Sequence, residues 1–284
     1  MCPACIAHLA WITAGVFSSG GIAALLAQGL RAGPRGTHID DHKEKDMTMP
    51  KVVSRDEWLR ARTELLAKEK EWSHQRDALS AERRGLPMVE IDKHYEFEGA
   101  EGRRTLAELF EGRRQLIVYH FMFGPDSDEG CPACSFVADH FGGMGAHLAA
   151  RDTSFAVISR APLAKIELFK RRMGWEFRWL SSFASDFNYD FNVTIDEAHQ
   201  EYNYRRYYPI AQQTAARFKG PPPGEGQGLS VFLRDGERLY HAYSTYQRGV
   251  DAFINTYNFL DHTPLGRQED PRKPMAWLRH HDRY

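Results

Sequence analysis

The spacing of apolar residues changes repeatedly from residue 95 onward, which predicts alternating strands and helices. Residues 115–122 and 153–159 are short, nearly continuous apolar runs, as expected of strands that are buried in a sheet. Residues 163–172, which follow the second run, have helical spacing. Asp235-Gly236 joins two later strand-like runs and predicts a hairpin, after which residues 250–260 read as a closing helix. A β-α-β run followed by a hairpin and a helix predicts an α/β domain with the thioredoxin arrangement.

A long charged helix with one apolar stripe is predicted before this domain. Ser54 and Glu57 have the spacing of a capping box, and Gly85 is suited to ending the helix after Arg84. The stripe repeats every seven residues and consists of Trp58, Leu65, Trp72 and Leu79. A single apolar position per heptad favours packing on the helix's own domain over a coiled coil, which needs two such positions.

These patterns divide the chain into four parts. They are a hydrophobic N-terminal segment (1–32), a linker (33–53), an amphipathic helix packed on the core domain (54–86) and the thioredoxin-like domain (87–284). The stretch from residue 6 to residue 30 has no charged side chain and is long enough to cross a bilayer as a helix. Basic residues follow it, so the positive-inside tendency predicts a membrane anchor with the large domain facing the cytoplasm. A misassigned or buried leader, and with it a soluble cytoplasmic protein, is the alternative.

Composition argues against two classes of protein, nucleic-acid-binding proteins and secreted disulfide scaffolds. The formal net charge is −1, so no overall basic field indicates a nucleic-acid partner. Four cysteines in 284 residues are too few for a secreted disulfide scaffold. They form two identical Cys-Pro-Ala-Cys pairs, Cys2 with Cys5 and Cys131 with Cys134, which favours redox or metal chemistry over structural cross-linking.

The second pair stands where a predicted strand passes into a predicted helix. The free N–H groups at a helix start stabilise a thiolate, and two intervening residues let a disulfide form and open with little backbone movement. Cys131 is therefore the predicted attacking thiolate and Cys134 the resolving thiol of a thiol–disulfide oxidoreductase. The acidic residues Asp126, Asp128 and Glu129 would raise the thiol pKa if they lay close by. The alternative without a function is that Cys131 and Cys134 are inert cysteines of the core.

Two other functions stay open. A peroxiredoxin-like thiol peroxidase would need donors that polarise a peroxide; Arg160 and Arg178 are candidates, although either is equally a surface or ion-pairing arginine. A metal-binding or scaffold protein could use both Cys-Pro-Ala-Cys pairs, but zinc ribbons keep their pairs within about 20 residues, which makes this the weaker hypothesis. We predict no cofactor and no metal at the main site.

Four further residues are candidates for substrate binding: His120, Arg160, Asp186 and Tyr189. His120 ends the strand before the dithiol. Asp186 and Tyr189 belong to a short stretch with two carboxylates, which could bind a cation or line a pocket, or be a turn with Asx hydrogen bonds. The histidines at positions 280 and 281 are expected to be a solvated chain end.

Several segments carry a resemblance to a known family. They are Met49-Pro-Lys-Val-Val-Ser-Arg-Asp-Glu-Trp58, Tyr119-His-Phe-Met-Phe-Gly124, Gly130-Cys-Pro-Ala-Cys-Ser-Phe136, Ser159-Arg-Ala-Pro-Leu-Ala-Lys165, Met173-Gly-Trp175, Ser185-Asp-Phe-Asn-Tyr-Asp-Phe191 and Tyr243-Ser-Thr-Tyr246. With them the chain, from about residue 49 to its end, resembles the DUF899 family of thioredoxin-like proteins, often labelled predicted dithiol–disulfide oxidoreductases.

The resemblance implies a thioredoxin-like fold and a redox activity whose partner, a thiol or disulfide substrate or an electron-donor protein, is not identified. The order of elements is also similar to that of peroxiredoxins, so the expected fold is a peroxiredoxin-like, three-layer α/β/α variant with an N-terminal helical extension. One departure concerns the proline that thioredoxins place before the strand facing the dithiol. The comparable segment here, Gly228-Leu229-Ser230, has no adjacent proline, which argues against thioredoxin-like binding of a disulfide substrate.

Overall fold

An eight-stranded mixed sheet forms the centre of the structure, a computed structural model that describes residues 49–206 and 224–284. Its strands are β1 (Val89–Ile91), β2 (Glu96–Gly99), β3 (Gly102–Thr105), β4 (Gln115–His120), β5 (Thr153–Ser159), β6 (Trp179–Ser181), β11 (Gly228–Asp235) and β12 (Arg238–Tyr246). Two small ribbons are formed by β7 (Thr194–Ile195) with β10 (Gly224–Glu225) and by β8 (Glu201–Tyr202) with β9 (Arg205–Arg206). The helices are α1 (Arg55–Arg84), α2 (Pro132–Ala138), α3 (Met144–Ala149), α4 (Leu163–Arg172), α5 (Phe187–Asp190) and α6 (Asn255–Leu260), with 3₁₀ turns at Glu108–Phe110, Gln247–Phe253 and His281–Arg283.

The strand order identifies the fold. The sheet runs β1-β12-β11-β4-β5-β6-β2-β3, with β4 parallel to β5, β5 parallel to β6, and the hairpin β11–β12 antiparallel to β4. Helix α2 lies in the connection between β4 and β5, as parallel neighbours require. This arrangement confirms the predicted thioredoxin-like α/β fold, and β1, β2 and β3 extend its sheet at both edges.

The two faces of the sheet bury two separate apolar clusters. Successive side chains of a strand point to opposite faces, and along β4 Leu116 and Val118 join one cluster while Tyr119 joins the other. The cluster that contains Tyr119 also receives Cys134 of α2, Phe169 of α4 and residues of α6. We call this side the dithiol face. The opposite side contains His120 and is covered by the 3₁₀ turn at Glu108–Phe110 and by α5; we call it the histidine face.

Helix α1 is present where the sequence predicts it. Ser54 caps its start, its Oγ accepting the Glu57 N–H at 3.2 Å, and Gly85 ends it. None of its residues is buried, and Trp58, Leu65, Trp72 and Leu79 are each 46–59% exposed. The expected packing of the stripe on the core domain is therefore not seen as burial, and the division of the chain into four parts stays a prediction.

Some local expectations need correction. The single closing helix is two pieces, the 3₁₀ turn at Gln247–Phe253 and α6, because Ile254 between them leaves helical geometry with φ −98° and ψ 89°. The carboxylate-rich stretch after Ser185 is one helical turn, α5, rather than a loop. No helix among residues 49–206 and 224–284 is long and apolar enough to cross a bilayer. The predicted span at residues 6–30 and the pair Cys2 and Cys5 lie outside the described residues.

Candidate dithiol site

The loop that follows β4 brings the two cysteines to the start of α2. Cys131 is the N-cap residue with extended backbone geometry, and Pro132 is the first helical residue, a position where its missing N–H costs nothing. The Cys131 N–H donates to the Met122 carbonyl at 3.0 Å, which ties the loop back to the end of the strand. The Ser135 hydroxyl donates to the Cys131 carbonyl at 3.0 Å. The backbone of Cys131 is thus fixed from both sides.

Both cysteines are free thiols in different environments. Cys131 is partly exposed, whereas Cys134 is buried with 0% of its surface accessible. A hydrogen bond from the Cys134 thiol lowers the pKa of Cys131 to about 6, assisted by the backbone N–H groups of Cys134 and Ala133 and opposed by burial. Burial and the neighbouring Cys131 sulfur raise the pKa of Cys134 well above its usual range. At neutral pH Cys131 is therefore the thiolate and Cys134 its protonated donor.

The acidic residues that precede Cys131 in the sequence do not raise its pKa. Asp126 and Asp128 are exposed, and Glu129 forms ion pairs with Arg172, Arg283 and His280. The pKa of Cys131 is set by Cys134, by burial and by backbone N–H groups instead. The sequence cannot reveal this neutralisation, because the partners of Glu129 are distant in the chain.

The chain end packs against the dithiol loop rather than extending into solvent. His280 is only 3% exposed, and its Nε2 lies 2.8 Å from the carbonyl oxygen of Gly130, the residue before Cys131. Asp282 pairs with Arg172 of α4 at 2.7 Å and so holds the tail in place. The expectation of a solvated end is wrong for His280, since a tertiary contact buries it.

Gly130 is required by close packing at the same turn. A Cβ atom at this position would lie 2.7 Å from ring carbons of both Phe121 and Phe169, closer than real contacts allow. The rings of Phe121 and Phe169 therefore limit how the backbone of the loop before Cys131 can be placed.

His120, a predicted substrate-binding residue, lies on the histidine face, away from the cysteines. Its ring is fully buried and stacks on Phe187 and Phe191 at centroid distances of 5.5 and 5.9 Å. Burial lowers its pKa to about 3, so it is neutral in the ordinary pH range. Its Nε2 is hydrogen-bonded to the Ser230 hydroxyl at 2.8 Å, and the ring acts as part of the core.

Asp186 also belongs to the histidine face, on the turn that enters α5. Its carboxylate and that of Asp190 both bind the Lys93 ammonium, at 3.0 and 2.6 Å. The cation that the sequence suggested for this stretch is thus a lysine of the same chain. Among the described residues there is no group of three or more His, Cys, Asp or Glu side chains arranged to hold a metal ion.

Arg160 and Tyr189 do come together, with the guanidinium 4.6 Å from the centre of the tyrosine ring. Arg160 also pairs with the buried carboxylate of Glu225 at 3.2 Å, and burial raises the pKa of Glu225. Glu225 packs beside Gly124, where a Cβ atom would lie 3.4 Å from its Cγ. This polar cluster adjoins the loop that leads to Cys131. Sequence reasoning missed Glu225, which belongs to no recognisable motif.

Arg178, the other candidate donor to a peroxide, lies at a cavity that Cys131 does not line. It pairs with Glu111, and together with Arg113 these residues line a cavity of about 940 Å³ whose walls include Phe141 and Trp175. Cys131 is not among the lining residues of this cavity. Arg178 is therefore an ion-pairing residue at a separate part of the surface.

Tyr119 and Gln227 are the neighbours of the dithiol that sequence reasoning did not single out. Tyr119 is 1% exposed and packs in the same apolar cluster as Cys134, and its hydroxyl partly offsets the burial that raises the pKa of that thiol. Gln227 directly precedes β11, and its Oε1 accepts a hydrogen bond from the Tyr119 hydroxyl at 3.2 Å. The period of two along β4 places Tyr119 opposite His120, but only the structure tells which of the two meets the cysteines.

Fold and site together define a thioredoxin-like domain with a dithiol at a helix start. The chain belongs to the DUF899 family, described as bacterial protein of unknown function, which it matches over residues 47–284. No curated protein matches the chain.

The solved structures with a similar fold include peroxiredoxins. Peroxidoxin BcpB from Mycobacterium tuberculosis is 15% identical with a TM-score of 0.40, covering 60% of this chain and 95% of that one. A mutant of PrxQ from Xylella fastidiosa is 11% identical with a TM-score of 0.38, covering 58% and 88%. A reduced 2-Cys peroxiredoxin from Plasmodium vivax is 12% identical with a TM-score of 0.36, covering 62% and 94%. At this level of similarity they carry no weight for the function of this chain.

Proposed function

We propose that this protein is a thiol–disulfide oxidoreductase in which Cys131 attacks and Cys134 resolves. The observation that carries the proposal is the asymmetry of the pair: a partly exposed Cys131 with a pKa of about 6 beside a buried Cys134 whose pKa is raised. A thiolate at neutral pH is a nucleophile towards a disulfide, and a buried neighbouring thiol is protected from reacting first.

The reaction proceeds in two exchanges. The Cys131 thiolate attacks one sulfur of a substrate disulfide, forms a mixed disulfide and releases the other sulfur as a thiolate. Cys134 then attacks Cys131 Sγ, so that the second substrate thiolate leaves and a Cys131–Cys134 disulfide remains. The substrate gains two electrons and two protons, and the dithiol loses them. Run backwards, the same steps oxidise a substrate dithiol.

The experiment uses the full chain with Cys2→Ser and Cys5→Ser, so that only one dithiol is present. The protein is equilibrated in glutathione buffers of graded potential, trapped by alkylation and mapped by mass spectrometry. We expect one two-electron transition between dithiol and Cys131–Cys134 disulfide, and catalysed reduction of insulin by the reduced form. An absence of that disulfide at every potential, together with no insulin reduction, would overturn the proposal.

A thiol peroxidase is the second candidate, and the placement of Arg160 favours keeping it. Arg160 follows β5, the parallel neighbour of β4, so that both the arginine and the Cys131 loop extend from the carboxyl ends of the strands. In that reaction Cys131 would reduce a peroxide to an alcohol and become a sulfenic acid, which Cys134 would convert to a disulfide with loss of water. Peroxide consumption that is lost in Cys131→Ser and strongly reduced in Arg160→Gln, with insulin reduction absent, would select this function.

A further inference from the structure

The buried position of Cys134 presents a chemical problem for the second exchange. Cys134 must act as a thiolate there, yet it is fully buried and the Cys131 sulfur, once in a mixed disulfide, no longer accepts its proton. A buried anion requires hydrogen-bond donors to replace water. The Met122 N–H donates to the sulfur at 3.4 Å, and the Tyr119 hydroxyl, in the same buried cluster, is a second donor available to it.

The Tyr119 hydroxyl has one proton and two neighbours able to accept it. One is Gln227 Oε1 at 3.2 Å, and the other is the Cys134 sulfur. Gln227 is held in place by its backbone, because the Tyr202 hydroxyl donates to its carbonyl at 2.7 Å. The glycines on either side of it, Gly226 and Gly228, lie so close to tyrosine rings that a Cβ atom at either would clash. The backbone that carries this amide is therefore fixed beside the phenol.

We propose that Tyr119 is a further catalytic residue of the dithiol site, whose hydroxyl turns from Gln227 to the Cys134 sulfur when that sulfur ionises. The inference rests on the proposed exchange chemistry and concerns its resolving step alone. Tyr119 itself stays protonated, since burial raises the pKa of its phenol. It stabilises the thiolate as a donor and does not remove the proton.

The proton and the electrons of the step are accounted for by the reacting sulfurs. Cys134 loses its proton, and its sulfur forms a bond to Cys131 Sγ. The bond between Cys131 Sγ and the substrate sulfur breaks, and the departing thiolate takes up a proton equivalent to the one lost. No external oxidant is needed, because the substrate disulfide has already supplied the oxidising sulfur.

The two cysteines should respond differently to loss of the phenol. The pKa of Cys131 is determined by Cys134, by burial and by backbone N–H groups, whereas the Tyr119 hydroxyl influences the pKa of Cys134. Removing the hydroxyl therefore affects resolution and leaves the first attack as it is. A residue that acted only through general packing would change both steps or neither.

The test follows the reaction of 5,5′-dithiobis(2-nitrobenzoate) with the reduced full chain carrying Cys2→Ser and Cys5→Ser. The first equivalent of coloured thiolate reports attack by Cys131, and the second reports resolution by Cys134. In Tyr119→Phe we expect an unchanged first phase with an unchanged pH midpoint. The second phase should slow by roughly ten- to a hundredfold, the usual effect of losing a hydrogen bond to a charged group, and its pH midpoint should rise.

Tyr95→Phe is the matched control, because Tyr95 is also a buried tyrosine whose hydroxyl donates a hydrogen bond, to Asp190 at 2.8 Å on the histidine face. It should leave both phases unchanged. A second variant, Gln227→Met, removes the competing acceptor and should leave the second phase as fast as, or faster than, in the parent. Equal second phases in Tyr119→Phe and parent, or a slower one in Gln227→Met, would overturn the inference. A parent protein without any first phase would instead overturn the proposed function itself.

Discussion

Two adjacent residues of β4, Tyr119 and His120, show how differently the two faces of the sheet are used. Both are fully buried polar rings, one step apart in the chain and on opposite faces. Tyr119 packs in the same cluster as Cys134, the proposed resolving cysteine, whereas His120 stacks on two phenylalanines. Burial alone therefore does not distinguish the two rings; their neighbours do, a thiol in one case and two aromatic rings in the other.

The histidine face contains a chain of hydrogen bonds that leads away from the cysteines. His120 Nε2 bonds to the Ser230 hydroxyl, which lies 2.7 Å from the Ser244 hydroxyl, and Ser244 in turn bonds to His241 Nε2 at 2.7 Å. The first two links join neighbouring strands of the sheet, and the third lies within β12. The network thus stabilises the pairing of β4, β11 and β12, while the dithiol face performs the proposed chemistry.

The largest expected difference between the two faces is a pH dependence of the free energy of unfolding, which comes from His120 on the histidine face. His120 has a pKa of about 3 in the folded protein and about 6.5 when unfolded, so the unfolded chain binds one more proton between these values. Its contribution to the free energy of unfolding is complete above pH 6.5 and falls by about 1.4 kcal/mol per pH unit below it. By pH 4.5 the loss should reach roughly 2–3 kcal/mol.

His120→Leu should remove that pH dependence, as urea unfolding at pH 7 and pH 4.5 would show, and should leave the rate of Cys131 alkylation unchanged. The control is His147→Leu on the exposed side of α3. A changed rate of Cys131 alkylation in His120→Leu would contradict the claim that the histidine face does not influence the dithiol.

A smaller effect is expected from filling the space above the dithiol turn. Gly130→Ala would place a methyl group 2.7 Å from the rings of Phe121 and Phe169 and should cost about 1–3 kcal/mol of stability. The displaced loop should also raise the pKa of Cys131, since its hydrogen bonds to α2 would lengthen. Gly142→Ala is the matched control, with nothing within 4 Å of the added atom. Thermal unfolding and pH-dependent alkylation measure both effects, and equal behaviour of the two variants would contradict the packing argument.

The smallest effect concerns the chain end. His280→Ala removes the partner of the Gly130 carbonyl and should cost about 1 kcal/mol, with a modest change in the alkylation rate of Cys131. His281→Ala, which removes a more exposed contact to Asp139, should have less effect on either quantity. A larger loss in His281→Ala than in His280→Ala would show that the tail does not act through the dithiol loop.

The core of the fold was predictable because its signals are local. The apolar runs of β4 and β5, the Asp235-Gly236 turn and the cap at Ser54 each specify an element through neighbouring residues. The position of the dithiol between β4 and α2 follows from the same order. Short elements such as β1 and α5 were missed, since β1 is stabilised by the distant strand β12 and α5 by Lys93.

The surroundings of the dithiol were less predictable because they arise from distant contacts. Gln227 approaches Tyr119 across 108 residues and His280 approaches Gly130 across 150. His120 is a polar residue next to the motif, which made it a candidate, but the pleat of β4 directs it to the other face. The alternation along a strand identifies the residues that share a face of the sheet. It does not tell which of the two faces contacts the cysteines.

The most direct test of the account is the pH dependence of Cys131 alkylation in the full chain with Cys2→Ser and Cys5→Ser. Iodoacetamide reacts with the thiolate, so the rate follows ionisation. The account predicts a midpoint near pH 6 that belongs to Cys131 alone and shifts upward when Cys134→Ala removes its thiol donor. A midpoint near 8.5, the ordinary value for a free cysteine, or no response to Cys134→Ala, would contradict it.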